Sequence, residues 1–194
     1  MRTYTKNGRT YVSVTEIVGM MYPFDKKGFE GWARWKGFNP DWITSESQRI
    51  GTKVHQWVEN RFHGIEAWAD SQPVDEKESS YLEAVQLFID SRDITDCERV
   101  VYSDEWGYAG TLDVLVGDTV FDVKTWGAWK GEYKRNSDKM DKVAVQLSMY
   151  AEAGGFEKIA VAILLPEGNL EIEELEITDV WKGWIEGNRK RLVV

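Results

Sequence analysis

The stretch GYAGTLDVLVGDTVFDVKTW, residues 107–126, constrains this chain more than any other. Two short alternating apolar runs flank Gly117-Asp118, a pair that reads as a two-residue hairpin turn in which Gly supplies the positive φ. Such a turn fixes the register: opposed residue numbers sum to 235, so Val114 faces Phe121, Leu112 faces Val123 and Asp113 faces Asp122. Like charges opposed on neighbouring strands repel each other unless something positive lies between them, and a divalent cation would serve. The same parity places Lys124 with the two aspartates and sets Leu112, Val114, Val116, Phe121 and Val123 on the opposite, core-facing side. A three-residue loop would instead throw the aspartates onto opposite faces. The competing reading is a solvated face on which Lys124 neutralises Asp122 and Asp113 points at water.

With 194 residues, 42% of them apolar and 29% charged, the chain can bury one core and is expected to be a soluble globular domain. It has no apolar run near the ~18 residues of a membrane span, and MRTYTKNGRTYVSVTE lacks the apolar centre of a signal peptide. One cysteine, Cys97, excludes an internal disulfide and a thiolate-held cluster. The expected compartment is the reducing cytoplasm, a host's if the chain comes from a phage.

The net charge of −9 argues against unspecific adhesion to nucleic acid, but positive charge is concentrated between residues 124 and 142. There Lys124, Lys130, Lys134, Arg135, Lys139 and Lys142 stand against Glu132, Asp138 and Asp141. Trp126, Trp129 and Tyr133 are interleaved, and basic residues mixed with aromatics suit a single strand whose bases can stack. Lys130, Lys134, Arg135, Trp126 and Trp129 are therefore candidate nucleic-acid contacts. With ten tryptophans in the chain, core packing is the competing reading for the last two. Acid gathers instead in LEIEELEITD, which reads as an edge strand with a charged outer face.

Periodicity predicts helices over 15–21, 27–36, 45–62 and 76–92, strands over 98–103, 109–116 and 119–125, and a helix over 138–153. Ser45 and Gln48 read as a capping box for the third helix. KIAVAILL, residues 158–165, reads as a strand buried on both faces; a strand over 171–177 and a last helix capped by Thr178 complete the pattern. The fold class is α/β (α+β), a central mixed β-sheet flanked by helices. A single domain over 1–194 is expected, with a helical N-terminal part at about 11–92 and a sheet core at about 97–177.

Two helical pairs stand out. His55 and Glu59 are four apart on one helix face with Gly51 a turn before them, and Gln146 and Tyr150 share the same spacing on an otherwise apolar helix. Taken alone, each pair reads more readily as ordinary helix packing than as a site.

GTLD, FDVKT and QLSMY, preceded by RIGTKVH, together resemble the PD-(D/E)XK nuclease superfamily in its RecB-like branch. They look most similar to phage exonucleases and the mitochondrial genome maintenance exonuclease, over roughly residues 11–154. The resemblance implies a restriction-endonuclease-like core with His55, Asp113 and Asp122 as metal ligands, joined by the Val123 backbone carbonyl. Lys124 is then the lysine of the D-x-K motif, and Gln146 and Tyr150 support the site from the adjoining helix. Glu98 matches a glutamate on the preceding strand, with Glu105 as the alternative, and Glu59 matches a supporting helix glutamate. Oxygen ligands with one imidazole suit Mg²⁺ or Mn²⁺. Relatives that carry an iron–sulfur cluster have four cysteines, so no cluster is expected here. The activity implied is a metal-dependent DNA exonuclease favouring single-stranded or free ends, in recombination, repair or end processing. A structure-specific or restriction-like endonuclease and a non-catalytic DNA-binding module are the alternatives. DNA is the expected partner, and no membrane.

Overall fold

The computed structural model describes residues 1–65, 75–126 and 137–192. The chain opens with a hairpin of β1 (Thr3–Lys6) and β2 (Arg9–Ser13), followed by α1 (Val14–Met21), α2 (Lys26–Trp35), α3 (Pro40–Phe62) and α4 (Glu76–Asp90). Strands β3 (Asp96–Ser103), β4 (Tyr108–Val116) and β5 (Thr119–Thr125) precede α5 (Ser137–Gly154). The chain continues through β6 (Lys158–Leu164), β7 (Leu170–Leu175) and α6 (Val180–Leu192). All seven strands join one mixed sheet in the order β1-β2-β4-β5-β6-β7, with β3 paired to β4.

Both faces of this sheet are covered. On one side α1, α5 and α6 pack against Leu112, Leu115, Val120, Val161 and Ile163. On the other, α3 and α4 pack against Cys97, Val114, Phe121, Val123, Ala160 and Ala162. Strand β6 supplies apolar residues to both layers, which is why it reads as an unbroken apolar run and not as an alternation. Among the described residues no helix is long and apolar enough to cross a membrane.

The N-terminal hairpin is not among the expected elements. Its turn is Asn7-Gly8, both at positive φ (52° and 76°), the geometry of a two-residue turn that matches strand twist. The sheet therefore reaches back to Thr3 and is not confined to residues 97–177. Helix α3 also starts earlier than predicted. Asn39 Oδ1 accepts the amides of Asp41 (2.9 Å) and Trp42 (3.4 Å) with Pro40 in the first turn. Ser45 lies inside the helix, its hydroxyl donating to the Trp42 carbonyl. Asn before Pro is held extended and caps well, so it outcompetes the Ser45 box. Thr178 accepts the Val180 amide at 3.4 Å, just ahead of α6.

The 117–118 turn has the expected register: Val114 pairs with Phe121, Leu115 with Val120 and Val116 with Thr119. Gly117 has φ 58° and Asp118 is not in the positive-φ region, as in a type II′ turn. The ladder stops at Val114–Phe121, so Asp113 and Asp122 are not a bridged pair. The expected single core-facing side is also corrected. Leu112 faces the α5 layer, whereas Val114, Phe121 and Val123 face the α3/α4 layer.

Candidate functional site

The reason for that correction is a local inversion of two strands. Strand β3 pairs with β4 as Cys97–Val114 and Arg99–Leu112, skipping Glu98 and Asp113, which lie opposite each other. Glu98 has φ 50°, a left-handed conformation that costs a non-glycine residue ~1–2 kcal/mol. Before this point Val101 and Leu112 face α5; after it Cys97 and Val114 face α3 and α4. Both strands turn over where their two carboxylates sit.

A fork opens on the other edge of β4. Strand β2 pairs in parallel with Tyr108 and Ala109, and β5 pairs with Val114 to Val116. Residues 110–113 lie between these partners, without a described strand bridged to them on that edge. Asp113 fills part of the gap, its Oδ2 accepting the Val123 amide at 2.9 Å. The carboxylate thus replaces a carbonyl in the ladder and is fixed by backbone.

Three side chains converge here. His55, on α3, places Nδ1 3.6 Å from Glu98 Oε1 and 3.8 Å from Asp113 Oδ1. Donor atoms of His55, Glu98 and Asp113 all lie within 4.8 Å of one another, close enough to share a cation. Glu105 sits in the exposed turn between β3 and β4, so Glu98 is the glutamate at the site. Glu59, one turn beyond His55, is half-buried; with burial and Glu98, its charge helps push the Cys97 thiol up to about 12.

Asp122 reaches the fork from the opposite face. It is 1% exposed, and its Oδ1 accepts Lys124 Nζ at 2.9 Å and the Gln146 amide at 3.4 Å. The same Gln146 nitrogen lies 3.4 Å from the Tyr150 hydroxyl. Of the expected helix pair, Gln146 contacts Asp122 directly and Tyr150 contacts Gln146. Asp122 Oδ2 is buried with no hydrogen-bond partner among the described residues. Asp122 lies outside the group of donor atoms that come within 4.8 Å of one another, but its charge acts on Asp113 and His55; a buried, unsatisfied carboxylate oxygen is costly, and a cation beside that group would offset its charge. The oxygen-rich donor set with one imidazole fits a hard divalent ion.

The electrostatics follow from this crowding. Burial, then the Asp122 charge, raises Asp113 to about 6 against the pull of His55, Lys124 and the Val123 amide. Burial pulls His55 down, but contact with Glu98 and the Asp113 and Asp122 charges leave it raised. For Lys124, burial is outweighed by Asp122 and Asp113, so the ammonium is held more firmly than usual. Tyr150 is raised by burial and then by the two aspartates, and stays a neutral phenol. Gly110 lets Tyr150 reach this position, since a Cβ there would meet the ring at 2.4 Å. The expectation from sequence did not include Gly110; its place inside GTLD, between two β residues, was the available signal.

The expected nucleic-acid contacts divide. Trp126 is partly buried against the α5-side core with Lys139 Nζ 6.0 Å from its ring. Trp129, Lys130, Lys134 and Arg135 lie outside the described residues.

No protein-family model and no curated protein matches the sequence. Solved structures do match. The protein named "Putative exonuclease" from Eubacterium rectale aligns with a TM-score of 0.58 at 14% identity, covering 94% of this chain and 79% of that one. The protein SSO0001 aligns with a TM-score of 0.51 at 15% identity, covering 98% and 77%. An alkaline exonuclease from Laribacter hongkongensis aligns at 0.46 and 12%, covering 94% and 85%. The first two place the chain in their fold, the mixed α/β sheet flanked by helices expected from the PD-(D/E)XK resemblance.

Proposed function

We propose that the chain is a divalent-cation-dependent DNA exonuclease that hydrolyses phosphodiester bonds at single-stranded or free ends, in recombination, repair or end processing in the cytoplasm. The observation that carries this reading is the fork itself. His55, Glu98 and Asp113 converge there within 4.8 Å, and a buried Asp122 oxygen has no hydrogen-bond partner among the described residues. Asp113, Asp122, Glu98 and His55 would hold Mg²⁺ or Mn²⁺, with the Val123 carbonyl as a further oxygen and Glu59 in support. Bound there, the ion supplies Lewis acidity toward the scissile phosphate and acidifies water.

The chain's own residues do the rest. Lys124, kept cationic by its aspartate neighbours, stabilises negative charge as it develops on the phosphate. A raised ammonium is a poor base, so electrostatic stabilisation is its role. Gln146 ties Asp122 to Tyr150 and fixes the carboxylate that Lys124 contacts. The exonuclease name of the Eubacterium rectale protein whose fold the chain shares supports the choice of chemistry.

The test is incubation of end-labelled single- and double-stranded DNA with Mg²⁺, Mn²⁺ or chelator, alongside covalently closed circular DNA. Shortening of linear strands that needs the cation and spares the circle is the expected result. Cleavage of the circle would move the assignment to an endonuclease. Binding without cleavage of any substrate would leave the non-catalytic DNA-binding module.

A further inference from the structure

The β1–β2 hairpin has no part in the site described above, yet it borders it. Residues 1–15 contain Arg2, Lys6 and Arg9 and no acidic side chain, in a chain of net charge −9. All three cations are exposed, and each lies over a tyrosine: Arg2 over Tyr4 at 5.4 Å, Lys6 over Tyr102 at 4.7 Å, Arg9 over Tyr11 at 5.1 Å. The rings meet edge to face, Tyr4–Tyr102 at 6.5 Å and Tyr11–Tyr102 at 5.1 Å. Cation–π contacts of this kind hold long side chains in place without neutralising them. Asp104 accepts from Arg9 and from the Tyr11 hydroxyl and so offsets Arg9. Arg2 and Lys6 carry the positive character of the cluster.

The cluster lies on the same face of the sheet as the candidate metal ligands. Tyr102 is opposite Ala109 and Val100 opposite Thr111, while the skipped pair Glu98 and Asp113 comes next on that face. The Tyr4 hydroxyl is 3.2 Å from Thr111 Oγ1, which ties the hairpin to the strand that carries Asp113. Asp113 is four residue steps on from Ala109, about 13 Å along the strand, or about four nucleotides at the ~3.4 Å rise of a stacked strand. Val100, between the two tiers, is 40% exposed, so this stretch of sheet is open to a ligand.

We infer that this hairpin is the track by which a nucleic-acid strand enters the site, with Arg2 and Lys6 on its backbone phosphates and the tyrosines positioning them. The inference rests on the nuclease reading above and names the surface that feeds its substrate. A polyanion must approach an acidic protein through a local positive path, and this path runs along the sheet face into the carboxylates.

The test is binding of a fluorescein-labelled single-stranded oligonucleotide of about 20 nucleotides, longer than common single-strand footprints, with chelator present and over a range of salt. The variants are Arg2→Ala/Lys6→Ala and the charge-keeping Arg2→Lys/Lys6→Arg. For the neutral variant, affinity should fall at least tenfold and the log–log salt slope should flatten by about 1.4, because each phosphate contact on a single strand contributes about 0.7. The charge-keeping variant should hold the wild-type slope. Wild-type affinity and slope in the neutral variant, from a protein that cleaves DNA, would overturn the track alone. So would an equal loss in both variants, which would mark a structural role. A wild-type protein that neither binds nor cleaves DNA would bring down the nuclease reading together with the track.

Discussion

Glu98 holds a backbone conformation that its residue type disfavours, at the point where β3 skips a pairing and beside His55 and Asp113. Strain that persists at one residue usually marks a site that needs its side chain there. Glu98→Gly should therefore raise the thermal unfolding midpoint or leave it unchanged, since glycine accepts φ 50° freely. The same variant should weaken Mn²⁺ binding severalfold. A lower midpoint with unchanged Mn²⁺ affinity would show that Glu98 serves the strand and not the site. Asp113 carries a second prediction. Its carboxyl is raised to about 6 and must be ionised to hold a cation, so protons compete with the metal. Apparent Mn²⁺ affinity should fall as pH drops from 7.5 to 5.5, with raised His55 acting in the same direction. The metal-free protein responds oppositely. With a folded pKa above the unfolded value, Asp113 takes up a proton on folding between about pH 6 and 4, and so contributes stability that is lost as pH rises through that window. Calorimetric scans with and without Mn²⁺ across that range test both signs.

Among the elements, β4 and α5 approach so closely that only hydrogen fits at Gly110 against the Tyr150 ring. Gly110→Ala should displace that ring and loosen the Gln146–Tyr150–Asp122 chain, at a cost of ~1–3 kcal/mol from overpacking. Urea unfolding measures the cost, and the cleavage rate should drop with it; unchanged stability would mean that α5 shifts freely. Helix α3, which carries His55, is pinned to α4 by Glu78, fully buried between Arg49 and Lys53. Glu78→Ala takes the buried carboxylate from Lys53 while Arg49 keeps Glu46 and Asp75, and should cost ~1.5–3 kcal/mol, the worth of a hydrogen bond to a charged group, again read by urea unfolding. The 117–118 hairpin was legible because a glycine turn fixes register locally. The equally clear Asn7-Gly8 turn was missed because its strands, TYTK and RTYVS, are short and polar-rich and show no apolar alternation. From sequence, Glu98 is named with Glu105 as the alternative, and what separates them, the offset of β3 on β4, is set by non-local pairing.

At the scale of the whole molecule, the acidic surface and the basic hairpin make opposite contributions to substrate approach, so DNA affinity should fall steeply as salt rises. Anisotropy titrations that show a flat salt response would contradict this. The layered fold was readable because β6 and the amphipathic helices declare their buried faces in sequence. The fork was not, because it arises where β2 and β5, distant in the chain, share one edge of β4. On the proposed reading, carboxylates from both faces of the sheet grip a single divalent ion at that fork. Titration of Mn²⁺, followed by electron paramagnetic resonance, into wild type, Asp113→Asn and Asp122→Asn tests it most directly. Saturable binding by the wild type that weakens at least tenfold in each variant is the result expected; equal Mn²⁺ binding by all three proteins would contradict it.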